Sequence, residues 1–154
     1  MPSSAHPPSP RSGAEPVARG RVLVVEDDPE AALFARLVLG ERGRFEVTHT
    51  ADPSVALVLA ASGPWDLVLT DMDLPVMSGL ELVAALRELA PRVPVLLLTA
   101  SPSRAFPVTP RPAGRPGASS AGRPDGLLVK PVRAERLLSA AIALADAGRP
   151  LGPR

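Results

Sequence analysis

The chain has 154 residues, 20 of them Pro, 12 Gly and none Cys or Tyr, a length for one domain with room for tails. Seventeen basic and sixteen acidic side chains leave a net charge of +1, so no broad field draws it to nucleic acid or an anionic membrane. The absence of Cys excludes a disulfide scaffold, thiol catalysis and Cys-ligated metal, and two His, His6 and His49, are too few for a His-ligated site. No apolar run approaches the ~20 residues that span a bilayer. The opening MPSSAHPPSPRSGAEP lacks the apolar stretch of a secretory signal. A soluble cytoplasmic protein with no nucleic-acid or membrane partner is expected.

Residues 1–19 hold five Pro among Ser, Ala and Gly and read as a disordered Pro/Ser-rich tail. Arg21–Glu26 (RVLVVE) is a short apolar run, as in a strand buried on both faces. Asp28-Pro29 has the form of a helix cap followed by Pro at the first helical position. The helix that follows carries Leu33, Phe34, Leu37 and Val38 as its apolar stripe and closes near Gly43. Phe45–Thr50 alternates as a second strand. Asp52-Pro53 repeats the cap signal before a helix over 54–61, and Gly63-Pro64 ends it. Asp66–Thr70 (DLVLT) is a third strand, with Trp65 packing at its start, at the end remote from Asp71. Ser78-Gly79 opens a helix whose stripe is Leu82, Val83, Leu86 and Leu89. Val95–Thr99 is a fourth strand and Gly126–Val129 a fifth. Glu135–Ala147 is a last helix with Leu137, Leu138, Ala141, Ile142 and Ala145 on one face, and 148–154 is a short tail.

The connection 101–124 departs from this alternation. It holds six Pro and four Arg, with no acid and only Phe106 and Val108 as large apolar side chains. Proline fixes φ and removes a donor, so neither a normal helix nor a central strand is expected there. The segment reads as an irregular Pro-rich insertion.

Near-pure Val/Leu strands alternating with helices predict a parallel α/β sheet. Such sheets carry their functional residues in the loops after the strand C-termini. Glu26, Asp27 and Asp28 follow the first strand, Asp71 and Asp73 the third, and Lys130-Pro131 the fifth. Thr99 closes the fourth. Crowded carboxylates repel and call for a cation, and all-oxygen ligation with retained water suits Mg²⁺. A carboxylate beside Mg²⁺ is able to attack phosphorus and become an acyl phosphate. A Lys ammonium and a Thr hydroxyl would then meet the phosphoryl oxygens. The other acids read more simply: Asp28 and Asp52 as helix caps, and His49 as a satisfied or solvated His.

The segments VLVVEDDP, DLVLTDMDLPVMSGLEL, VPVLLLTA and GLLVKPV resemble the receiver domains of bacterial two-component response regulators, in order and over residues 20–147. The resemblance implies a five-stranded parallel, doubly wound flavodoxin-like sheet of order 2-1-3-4-5, an arrangement for which the family's chemotaxis member is a standard example. The helix between strands four and five would be absent or replaced by the Pro/Arg/Gly-rich loop. It implies Asp71 as phosphoacceptor, with Glu26, Asp27, Asp71 and the backbone carbonyl of Asp73 around Mg²⁺. Lys130 would bind the phosphoryl group, Thr99 would be the switch hydroxyl, and Lys130-Pro131 would carry a cis bond. Leu127 stands where relatives have an aromatic switch residue.

The function so implied is a stand-alone response regulator. It would be phosphorylated by a sensor histidine kinase or a histidine phosphotransfer protein and signal through protein contact to an undetermined target. It would be a phosphoacceptor switch that catalyses its own phosphotransfer and dephosphorylation, not a metabolic enzyme. Apolar sheet near strands four and five would be left for a partner, a second copy in a homodimer, or the 101–124 stretch to cover. Two rivals stand beside this reading: a degenerate receiver that binds partners without phosphate, and a phosphohydrolase of the haloacid dehalogenase type built on Asp71 and Asp73.

Overall fold

The computed structural model of the protein describes residues 17–105 and 122–149. Its centre is a five-stranded sheet of order β2-β1-β3-β4-β5. The strands are β1 Arg21–Val25, β2 Glu46–Thr50, β3 Leu67–Asp71, β4 Val95–Thr99 and β5 Gly126–Val129. Every pairing is parallel, with Val24 opposite His49, Val25 opposite Thr70, Asp71 opposite Leu98, and Thr99 opposite Val129. The expected order is the observed one. All strand C-termini therefore open onto one edge of the sheet.

Helix α1 (Pro29–Arg36) runs on into a π-helical segment, Leu37–Arg42, that ends at Gly43. Helix α2 spans Pro53–Ser62, α3 Gly79–Leu89, and α5 Ala134–Ala147. One face of the sheet packs Val22, Val24, Leu67, Leu69, Leu96 and Leu98 against α1, the π segment and α5. The other packs Leu23, Val25, Val68 and Val95 against α2 and α3. A sheet covered twice needs apolar residues at consecutive positions, which is why its strands read as continuous Val/Leu runs. Each fully buried Leu or Val contributes roughly 1.5–3 kcal/mol.

Several expectations need correction. In α1 the buried residues are Ala32 and Ala35, and in the π segment Val38 and Leu39, while Leu33, Phe34 and Leu37 are 53%, 38% and 45% exposed. The helix is apolar on more than one side, and its small alanines allow the closest approach to the sheet. In α3, Leu89 is likewise exposed. Strand β3 extends through Asp71, because the ladder continues past it with Met72 N–H donating to the Leu98 carbonyl at 2.8 Å. The 101–124 connection is not wholly irregular: Pro102–Ala105 forms one helical turn, α4, with Pro at the first position, where a missing N–H costs nothing. The rest of that expectation falls on residues 106–121, and most of the expected N-terminal tail on 1–16, outside the described residues. Val129 on β5 is 48% exposed. Among the described residues no helix is long and apolar enough to cross a membrane.

Candidate functional site

Each acidic or basic group at the sheet edge is delivered by a local device. The ladder holds β1 to β2 one residue beyond the strand, with Glu26 N–H donating to the Thr50 carbonyl at 3.1 Å. Asp28 then caps α1, its Oδ1 accepting from Glu30 N–H at 3.0 Å, with Pro29 as the first helical residue. Asp52 caps α2 in the same way, through Ser54 N–H at 2.8 Å. Both caps were legible as Asp-Pro pairs. After β3 the chain folds tightly back: Gly79 N–H donates to the Met72 carbonyl at 2.7 Å. A side chain at Gly79 would collide with the Asp71 carbonyl oxygen and come within 2.7 Å of Leu97 Cδ1, so only glycine lets α3 approach β3 here. Ser78 and Glu81 close a reciprocal capping box at the start of α3. At β5 the Lys130 N–H continues the ladder to the Thr99 carbonyl at 2.8 Å, and the Lys130–Pro131 bond is cis.

These devices bring Glu26, Asp27 and Asp71 together, with one carboxylate oxygen of each within 4.8 Å of the others. Glu26 and Asp71 are buried, at 4% and 6% exposure, while Asp27 is open to solvent. Lys130 Nζ lies 2.9 Å from Asp71 Oδ1 and 3.9 Å from Glu26 Oε2. The approach to Oδ1 is off the axis of a hydrogen bond, so this buried oxygen has an ion-pair partner but no aligned hydrogen bond.

Beside the carboxylates lies a cavity of about 460 Å³ walled mainly by apolar side chains, Phe34, Leu69, Leu98 and Val132 among them. This apolar surround dominates the electrostatics of Glu26. Burial pushes Glu26 from 4.5 up to about 7; the Asp28 N–H on its Oε1 opposes this, the Asp71 charge adds to it, and the Lys130 charge opposes it. Burial alone would pull the Lys130 ammonium down, but the Asp71 carboxylate, then Glu26 and Asp73, outweigh it and hold Lys130 above its usual range.

Thr99 is buried at the end of β4, at 1% exposure. Its hydroxyl donates to the Ser101 carbonyl at 3.1 Å and accepts from Ser101 N–H at 3.0 Å. It therefore ends β4 at the site edge of the sheet, with its hydroxyl turned to its own chain. Asp73 is exposed in the β3–α3 loop and near enough to act on the Lys130 charge. Leu127 is half-buried against Met72, Leu97 and Leu80. Trp65 packs at the far end, its Nε1–H on the Leu59 carbonyl at 2.8 Å. The sequence singles out no role for His49, yet its ring reaches the backbone of Glu26. Only the parallel register, which puts it opposite Val24, places it there.

The donor set fits a small hard cation. All its groups are oxygens, three carboxylates face one ammonium, and a buried Asp71 oxygen has no aligned hydrogen bond. Glu26, Asp27 and Asp71 are the residues that would hold Mg²⁺.

Comparison with known proteins places the chain. Residues 22–142 match the response regulator receiver domain family. The transcriptional regulatory protein TcrA of Mycobacterium tuberculosis is 35% identical over 128 residues, 83% of this chain and 47% of TcrA. YkoG of Bacillus subtilis, an uncharacterized transcriptional regulatory protein, is 40% identical over 85 residues, 55% of this chain and 37% of its own length. The chain thus spans less than half the length of these two relatives. Chemotaxis response regulator CheY4 of Vibrio cholerae superposes with a TM-score of 0.65 at 29% identity, covering 80% of this chain and 97% of that one. The receiver domain of sensor histidine kinase PA1611 of Pseudomonas aeruginosa, solved with magnesium coordinated in its active-site cleft, gives 0.63 at 28% identity, covering 80% and 98%. A matched family, the 2-1-3-4-5 sheet and the clustered acids agree: the chain belongs to the response regulator receiver domain family.

Proposed function

We propose that Asp71 accepts a phosphoryl group from a phosphohistidine on a sensor kinase or phosphotransfer protein, in the cytoplasm, and that the resulting acyl phosphate is the signal. The observation that carries this is the buried Asp71 at the end of β3, with Lys130 Nζ at 2.9 Å and the Glu26 and Asp27 carboxylates around it. An Asp71 carboxylate oxygen attacks phosphorus, an O–P bond forms and the donor's N–P bond breaks. Lys130 meets the charge on the phosphoryl oxygens, and its own elevated pKa keeps it protonated for that work. Glu26, Asp27 and Asp71 would hold Mg²⁺, with the Asp73 backbone carbonyl as a further ligand, and the cation would supply charge that offsets that of nucleophile and phosphoryl group together. Apolar side chains, Phe34, Leu69, Leu98 and Val132 among them, wall the buried side of the site. Thr99 would leave Ser101 to donate its hydroxyl to the phosphoryl group.

Output then passes by contact with another protein surface. With Leu127 in place of an aromatic side chain, that contact is made without the aromatic rotation of relatives. The chemistry is tested by intact mass after incubation with acetyl phosphate. A phosphoryl adduct that forms with Mg²⁺, is lost with a chelator and is missing from Asp71→Asn supports the reading. A folded wild type that forms none with either acetyl phosphate or a panel of histidine kinases favours a phosphate-independent interaction module.

A further inference from the structure

We infer that His49 is a positioning residue for the acidic pair: its ring holds the peptide plane that joins Glu26 to Asp27. The inference rests on the proposed role of those acids as cation ligands. His49 Nε2 lies 2.8 Å from the Glu26 carbonyl oxygen. A carbonyl only accepts, so Nε2 carries the proton and donates it.

The bond fills a gap in the sheet. Glu26 N–H still donates to the Thr50 carbonyl, so the next rung of the parallel ladder calls for the N–H of Asp52 on the Glu26 carbonyl. That N–H is turned away to Thr50 Oγ1 at 3.2 Å, because Asp52 is already capping α2. The β2 strand therefore leaves the ladder one rung early, and the His49 side chain supplies the missing donor. The peptide unit is planar, so fixing the Glu26 oxygen fixes the Asp27 nitrogen and the direction in which Asp27 leaves it. The Asp28 N–H on Glu26 Oε1, at 3.1 Å, pins the side chain of the same residue. Backbone and side chain of Glu26 are thus held by two bonds, and Asp27, exposed to solvent, takes its aim from the first of them.

Two substitutions separate this role from packing. The amide nitrogen of His49→Gln reaches where Nε2 stands, whereas that of His49→Asn stops a bond short. The measurements are Mg²⁺ affinity by calorimetry, the exchange rate of the Glu26 amide, bonded to the Thr50 carbonyl, in metal-free protein by NMR, and the melting temperature. His49→Asn is expected to weaken Mg²⁺ about tenfold and to speed Glu26 amide exchange, while His49→Gln stays within about threefold of wild type in both. Overturning results are wild-type affinity and exchange in His49→Asn, or equal loss in both variants, which would mark a packing role. A wild type that binds no Mg²⁺ would instead count against the proposed function. The exchange comparison, made without metal, still decides the role of His49.

Discussion

Replacing Glu26 by Gln should remove a loss of metal-free stability that wild type suffers as pH rises. Burial raises the Glu26 carboxyl from 4.5 in the open chain to about 7 in the fold. Between those values the Glu26 carboxyl is more protonated in the folded protein than in the unfolded one, so its contribution to stability is full below 4.5 and is lost as pH rises through about 7. The whole shift corresponds to about 3 kcal/mol. About 2 kcal/mol of it is lost between about pH 5.5 and about pH 8. The assay is urea unfolding with a chelator present at both pH values, wild type against Glu26→Gln. The difference between the two proteins cancels titrations that they share. Wild type should lose about 2 kcal/mol relative to Glu26→Gln on going to the higher pH. Saturating Mg²⁺, which competes with the proton for Glu26, should stabilise wild type most at the alkaline end. A wild-type minus Gln difference that stays flat across this range would refute the claim that Glu26 is a desolvated, charge-frustrated acid.

Three further outcomes follow from named contacts. Lys130→Met removes the ammonium 2.9 Å from Asp71, and adduct formation from acetyl phosphate should slow about a hundredfold, measured by time-resolved intact mass. Gly79→Ala forces a methyl against Leu97 Cδ1 and the Met72 Cα, at 2.7 and 2.9 Å, and should cost about 1–3 kcal/mol in urea unfolding. Because the displaced backbone is that of Asp71 and Met72, the same variant should also lose phosphorylation. Leu137→Ala empties a side chain with 0% exposure at the α5–sheet contact and should cost about 2–5 kcal/mol, with the Asp71 chemistry retained in the fraction that is folded.

The central strands were readable because a sheet covered on both faces takes apolar residues at consecutive positions, as in VLVV, LVL and VLLL. Helix starts were readable because Asp-Pro supplies cap and first residue in two letters, at α1 and α2 alike. The facing of the helices was harder. In α1 and α2 the sheet takes Ala32, Ala35, Ala56 and Ala60, and larger residues such as Leu33 and Val58 are left outside. A helix apolar on several sides offers more than one stripe, and the choice is made by how closely it packs, which periodicity does not encode. The π-helical segment Leu37–Arg42 has no sequence mark either. At the site, the charged residues announced themselves by position after each strand. The His49 contact did not, since it depends on β2 leaving the ladder at Thr50 to cap α2. The orientation of Thr99 toward Ser101 is likewise set by the loop and not by the residue.

The most direct test of the account asks where the phosphoryl group resides. Wild type incubated with acetyl phosphate and Mg²⁺ is reduced with borohydride, which converts an aspartyl phosphate to homoserine, and the reduced position is read by tandem mass spectrometry. Homoserine at position 71, and at no other Asp or Glu, is the predicted result. Reduction at Asp27 or Asp73, or a fully folded protein with no reduced residue under any phosphodonor, would contradict it.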